Sequence, residues 1–385
     1  MVAYLGYLLL AGVQSVFMPE KAKLGGRKLG VREYLILCCV EIVLLAGLRV
    51  YTVGADTQVY LDALEYYSGL PKNELLLAKL VHPFDFEPGY FLFTKLCAFL
   101  RIPKTVFLFV VAIVIYVPIF CSIYQYSKIP FISILAYFAL GIFSYSLGIF
   151  RQMMALSIVL CGIKHVEEGK LISYLLWVIG AATFHITALV MLAVYFLYHF
   201  RVEQYVKWII PVQIICLVFG RHLVLAATYV FPQYSHYLGG KYDVQGGSYL
   251  MLLFLNVVLY VKIYLYCKGI LNSRVDIAAL SFGVVVQAIG YSMALFGRIV
   301  PYFSIFAIFT IPDILYALVY KPKLYMLVRR DVSNVWNKCC EFVANHKATC
   351  RMVVWVVFIL GLMVLVLKDL VGNEFVLPYT FFFLK

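Results

Sequence analysis

The sequence predicts an all-α polytopic membrane protein of about twelve transmembrane helices, with re-entrant or interfacial helices on its extracytoplasmic side. Three observations predict it. The 385-residue chain is 64% hydrophobic and only 13% charged, with a mean hydropathy of +0.94, outside the range of soluble domains. Apolar runs of membrane-crossing length recur from end to end. The net charge of +13 comes from basic residues dispersed among those runs and gathered in a few loops, as positive-inside bias requires.

In chain order, spans are expected near 2–19, 31–50, 105–124, 130–148, 207–226, 249–268, 275–296, 299–320 and 352–370. A shorter run, 151–166, follows Arg151. The long run 170–200 is interrupted at Phe184-His185 and reads as two short helices that meet there. Residues 1–18 have no basic n-region or small-residue cleavage site, so they read as a first span rather than a removed signal peptide. No Gly/Ser or Pro linker, repeat or low-complexity segment divides the chain, and 1–385 reads as one membrane domain. The basic loops 20–32 and 321–351 are expected on the cytoplasmic side, which puts both chain ends outside.

Two segments fall on the outer face in this layout, 51–104 and 221–248. In the first, Val59, Tyr60, Ala63, Leu64 and Tyr67 give one apolar face, predicting an interfacial helix capped by Asp56 or Thr57. Pro88 suits a first helical turn, so 87–101 is a second, re-entrant or interfacial helix. Arg49, Arg151, His185, Arg221 and Arg298 all land at outer ends of spans. An arginine cannot be neutralised, so at membrane depth it must meet a wet cavity, a partner or an anion.

The composition excludes other classes. The basic residues form no soluble patch with interleaved aromatics, so nucleic acid is not an expected partner. Most of the ten cysteines sit inside apolar segments, where Cys behaves as a small hydrophobe. Cys339, Cys340, His346 and Cys350 lack the usual zinc spacings, and no metal site is expected.

Five motifs recur in a recognisable order: Arg49 with Gly54-Ala55-Asp56-Thr57 and Tyr60, then Phe86-Glu87-Pro88-Gly89-Tyr90. Phe150-Arg151-Gln152 with Ala155, Phe184-His185 with Ala188-Leu189, and Gly297-Arg298-Ile299 with Tyr302-Phe303 complete the set, before a Leu377-Pro378-Tyr379 ending. Together they cover nearly the whole chain, which resembles the EpsG family of Wzy-like bacterial polysaccharide polymerases. The spacer around Lys72–His82 and the loop 321–351 look particular to this chain.

The resemblance implies transfer of a growing glycan from undecaprenyl diphosphate to the acceptor sugar of a lipid-linked repeat unit, outside the bacterial cytoplasmic membrane. Such a donor arrives activated, so no cofactor is expected, and the chain has no Gly-rich phosphate loop. The leaving diphosphate needs cationic stabilisation and the acceptor hydroxyl needs a base. Arg151, Arg298 and Arg49 are the expected diphosphate ligands, against snorkelling or anchoring at the membrane boundary. His185, Asp56 and Glu87 are the catalytic candidates, against a core histidine, a helix cap and a helix N-terminal charge. Gln152, Tyr302, Arg221 and Lys241 are weaker glycan-binding candidates. Membrane lipids, a flippase and a chain-length regulator of the same pathway are the implied partners. A lipid-linked-sugar flippase would instead line a central path from both sides with charge, and an O-antigen-ligase-like transferase would differ in its acceptor.

Overall fold

A computed structural model of the chain describes residues 1–17, 30–77, 84–230, 248–292, 294–320, 347–372, 376–377 and 379–381. Among these the regular structure is helical. The helices are α1 Val2–Phe17, α2 Val31–Gly47, α3 Thr57–Gly69, α4 Lys72–Leu77, α5 Pro88–Phe99 and α6 Lys104–Tyr126. Next come α7 Pro130–Ala139, α8 Ile142–Ser146, α9 Phe150–Glu167, α10 Leu171–Ala182, a 3-10 helix Ile186–Met191 and α11 Leu192–His199. Then follow α12 Val202–Val230, α13 Tyr249–Cys267, α14 Val275–Ser292 and a 3-10 helix Ala294–Arg298. The series ends with α15 Val300–Ser304, α16 Ala307–Tyr320 and α17 Lys347–Gly372.

The helical class and membrane character stand, but the expected count of about twelve spans does not. Among the described residues four helices are long and apolar enough to cross: α6, Val202–Leu223 of α12, α13, and Met352–Gly372 of α17. A fifth is possible only if Phe296–Ser304 and Ala307–Tyr320, bent by 43°, form one broken span. The reasons are local. Gly141, at φ 70, breaks the run 130–148 into α7 and the five-residue α8. Helix α1 has 16 residues, and at 1.5 Å per residue that is about 24 Å, short of a hydrocarbon core about 30 Å thick. Run 170–200 does break at His185, giving the paired short helices the sequence suggests. The helices expected at 57–67 and 87–101 form as α3 and α5.

Exposed apolar side chains along α12 and α17 mark lipid-facing surface. On α17 Met352, Val357, Leu360 and Val364 are each at least 59% exposed. In water such a stripe would be a liability, whereas lipid tails solvate it.

The described residues form two compact units, Met1–Tyr126 with Tyr137–Tyr195 and Val366–Lys385, and Ser127–Ala136 with Phe196–Leu365. Three of the four divisions run through α7, α11 and α17, and the fourth falls in the short connection between α6 and α7. In the first unit α2 and α9 pack on α6, α10 on α9, and α3 on α5. Glu41 there bonds Gln14 of α1 at 2.5 Å, the helix–helix pairing that its apolar surroundings suggest. The chain end folds back on α2: the Tyr379 hydroxyl donates to the Leu45 carbonyl at 2.7 Å, and Val50 N–H to Thr380 O at 2.9 Å.

The second unit holds a buried charge cluster. Lys262 of α13 is fully buried, with its ammonium 2.8 Å from Asp276 of α14 and 2.6 Å from Asp313 of α16. Asp276 also accepts from the hydroxyls of Ser273 at 3.1 Å and Thr310 at 2.9 Å. Removing the cation leaves two carboxylates facing each other in an apolar interior. Lys262→Met should therefore destabilise the protein by about 3–5 kcal/mol, seen as a lowered unfolding midpoint in detergent. An unchanged midpoint would remove the cluster from the packing account.

Candidate active site

Three segments of the first unit converge on the Glu87 carboxylate. Local backbone chemistry brings them there. Glu87 stands at the N-cap of α5 in extended conformation, φ −63 and ψ 153, and Pro88 opens the helix without needing an N–H partner. Gly89 comes so close to Thr183 that a Cβ would meet its side chain, and its N–H donates to the Thr183 carbonyl at 2.7 Å. That contact docks α5 on the break after α10, where His185 is the extended residue that opens the next 3-10 helix.

The other approach runs through Leu147. Its carbonyl accepts from Arg49 Nη2 at 2.9 Å and from the Thr57 hydroxyl at 3.0 Å. Gly54 has φ 102, and a Cβ there would strike that carbonyl; a Cβ on Gly148 would lie 2.6 Å from the Ala55 nitrogen. The Gly54-Ala55-Asp56-Thr57 loop is thus locked against the turn that starts α9. Arg151 is the second residue of that helix.

At the centre, Arg151 Nη1 lies 2.6 Å from Glu87 Oε2, and His185 Nδ1 lies 2.7 Å from Glu87 Oε1. Ile186 N–H adds a 3.3 Å bond to Oε1, and Arg151 Nη1 also donates to the Asp85 carbonyl at 3.3 Å. The guanidinium sits 5.1 Å above the Phe86 ring. Side-chain exposures of 24% for Arg151, 22% for His185 and 17% for Glu87 leave the group half-buried and reachable. A cation in the first turn of a helix opposes the helix dipole, which adds to the pull of Arg151 toward a carboxylate or another anion. Burial works to raise the Glu87 carboxyl, but the His185 hydrogen bond and the Arg151 charge outweigh it and hold it at about 2. Glu87 is therefore ionised under all ordinary conditions. Its contribution to stability is complete above the ordinary carboxylate range and is lost only as the pH falls through about 2.

Aromatic rings frame this centre. Tyr60 stacks on Phe150 at 4.8 Å and meets Tyr90 edge-on at 5.3 Å, and Phe86 stacks on Phe84 at 5.5 Å. Tyr60 lies within electrostatic reach of Arg151, Asp56 and Glu87.

The other candidates fall elsewhere. Arg49 is 2% exposed, donates to the carbonyls of Ala46, Val53 and Leu147, and lies 5.4 Å over Phe150, so it binds the fold together. Asp56 is the N-cap residue of α3 but makes no side-chain capping bond, and Thr57 donates to Val53 and Leu147 carbonyls instead of capping. Gln152 is 1% exposed and lies beneath the site rather than on its surface. Arg298, half-buried, ends the 3-10 helix Ala294–Arg298, and Tyr302 is 1% exposed; both belong to the second unit. Arg221 is on the exposed surface of α12, which runs to Val230, so that part of the expected loop 221–248 is helix. Lys241, Cys339, Cys340 and His346 lie outside the described residues.

The sequence reading gave no role to Tyr60 and Phe86, although both stand in the motifs. The signal at Phe86 was an aromatic ring between two carboxylates, Asp85 and Glu87. Nor did the sequence reading give a role to Lys262, although its apolar neighbours Val261 and Ile263 mark it as a buried cation.

These features define a helical membrane protein whose half-buried carboxylate is shared by a guanidinium and an imidazole. The model of the EpsG family matches residues 33–328, and the chain belongs to that family. No curated protein and no solved structure matches it. The three segments that meet at Glu87 all fall within the matched residues.

Substitution of Gly54 tests the lock on α9. Gly54→Ala should cost about 1–3 kcal/mol or more, because both the positive φ and the Leu147 carbonyl exclude a Cβ. Thermal unfolding in detergent, compared with Gly6→Ala where the added methyl meets open space, provides the measurement.

Proposed function

We propose that this protein is a polysaccharide polymerase of the bacterial cytoplasmic membrane. It would transfer a growing glycan from undecaprenyl diphosphate to the acceptor sugar of a lipid-linked repeat unit on the outer face. Membership of the EpsG family supports the class of reaction. The observation that carries the site assignment is the contact of both Arg151 and His185 with one carboxylate, Glu87.

The chemistry follows from that geometry. Ionised Glu87 accepts the hydrogen bond donated by His185 Nδ1–H, which leaves Nε2 with the free lone pair. Nε2 accepts the proton of the acceptor hydroxyl as its oxygen bonds to the anomeric carbon of the donor glycan. The bond from that carbon to the diphosphate oxygen breaks, and the leaving lipid diphosphate takes up negative charge. Arg151 stabilises that charge with forked, charge-assisted bonds. Glu87 positions the base and does not itself touch the reacting atoms. Arg49 acts through the fold. Chain-length control and delivery of the repeat unit would fall to other proteins of the pathway.

Purified protein supplied with a lipid-linked repeat unit should produce a ladder of lengthening products. Arg151→Ala should lower ladder formation by about 10²–10³-fold, with the protein still folded and membrane-inserted. Arg151→Lys should recover little, since an ammonium cannot reproduce a bidentate grip. Normal-length polymer from well-expressed Arg151→Ala would sink the diphosphate assignment. Movement of the lipid across vesicles without a ladder would instead indicate a flippase.

A further inference from the structure

The two oxygens of Glu87 are held unequally. Oε1 has two donors from one short segment, His185 Nδ1 at 2.7 Å and Ile186 N–H at 3.3 Å. Oε2 is held by Arg151 Nη1 at 2.6 Å. Arg151 has further support that does not involve Glu87, from the Asp85 carbonyl at 3.3 Å and the Phe86 ring at 5.1 Å. If Oε2 lets go, the guanidinium stays in place and the carboxylate remains anchored through Oε1.

Charge points the same way. With His185 neutral, Arg151 and Glu87 sum to zero, so the unliganded centre has little net attraction for an anion. A ligand oxyanion bonding to Arg151 Nη1 needs the position that Oε2 fills. We propose that Glu87 Oε2 is a built-in stand-in for the ligand's oxyanion, displaced from Arg151 when an anionic ligand binds. This regulation of the site rests on the polymerase reading above, and it adds that Glu87 opposes the first step of binding while serving the later chemistry. Displacement frees Oε2 from Arg151 while Oε1 keeps its bond to His185 Nδ1. The side chain that yields to the anion is thus also the one that orients the base.

The linkage separates binding from turnover. Inorganic pyrophosphate is the probe, with the purified full-length protein in a phosphate-free detergent and heat of binding as the readout. Glu87→Gln removes the competing charge and should bind pyrophosphate about tenfold more tightly or better. Glu87→Asp keeps the charge but shortens the arm, and should fall between wild type and Glu87→Gln, which keeps the test available if Gln impairs folding. In the ladder assay Glu87→Gln should lower both kcat and KM for the lipid-linked unit. A purely structural Glu87 would lower kcat and weaken binding together. Pyrophosphate binding unchanged or weaker in Glu87→Gln and Glu87→Asp, but abolished in Arg151→Ala, overturns the displacement and leaves the polymerase reading standing. Binding by Arg151→Ala as tight as wild type overturns both.

Discussion

Charge in an apolar, mostly helical chain must be partnered, and the partner chosen decides what each charge can do. Arg49 and Lys262 are closed in: one faces three carbonyls, the other two carboxylates, and neither meets solvent. They act as internal struts. Arg151 differs because its carboxylate is borrowed from another chain segment and shared with an imidazole in a half-exposed position. The Glu87 bridge is what assembles α5, α9 and the break after α10 into one place. Without it the three motifs would be neighbours in a fold but not parts of a site.

Much of this was legible in the sequence. Arg151, Glu87 and His185 each stood out as a charge or a polar ring interrupting apolar sequence, and hydropathy with the charge of the loops put them on one expected face. Spacing could not reveal that they touch, because Glu87 and His185 are 98 residues apart and joined by a single carboxylate. The two interfacial-type helices were also readable, from a one-sided apolar stripe in 57–67 and from Pro88. The span count was not. Hydropathy registers apolar length but not whether the backbone stays helical, and one left-handed glycine at 141 turns a nominal span into two short pieces.

Arg49 illustrates the opposite limit. Its sequence context matched that of Arg151, an arginine closing an apolar run, and both drew the same assignment. What separates them is the Leu147 carbonyl, which Arg49 and Thr57 share and which no local pattern announces. Asp56 likewise looked like a cap, yet the neighbouring hydroxyl of Thr57 points to carbonyls and the cap position goes without a side-chain bond. Sequence patterns rank residue types well. They do not count the acceptors that tertiary structure will supply.

The main-chain bond from Gly89 to Thr183 has a mechanical consequence. Glu87 and His185 are joined both by their side chains and, two residues away on either strand, through the backbone, so their separation is stiff. The Glu87–Arg151 separation rests on the long Arg151 side chain, which bonds the Glu87 carboxylate and the Asp85 carbonyl, and is softer. Thermal fluctuation of the unit will therefore stretch the ion pair far more than it disturbs the imidazole, concentrating compliance at the one contact where a visiting oxyanion must insert.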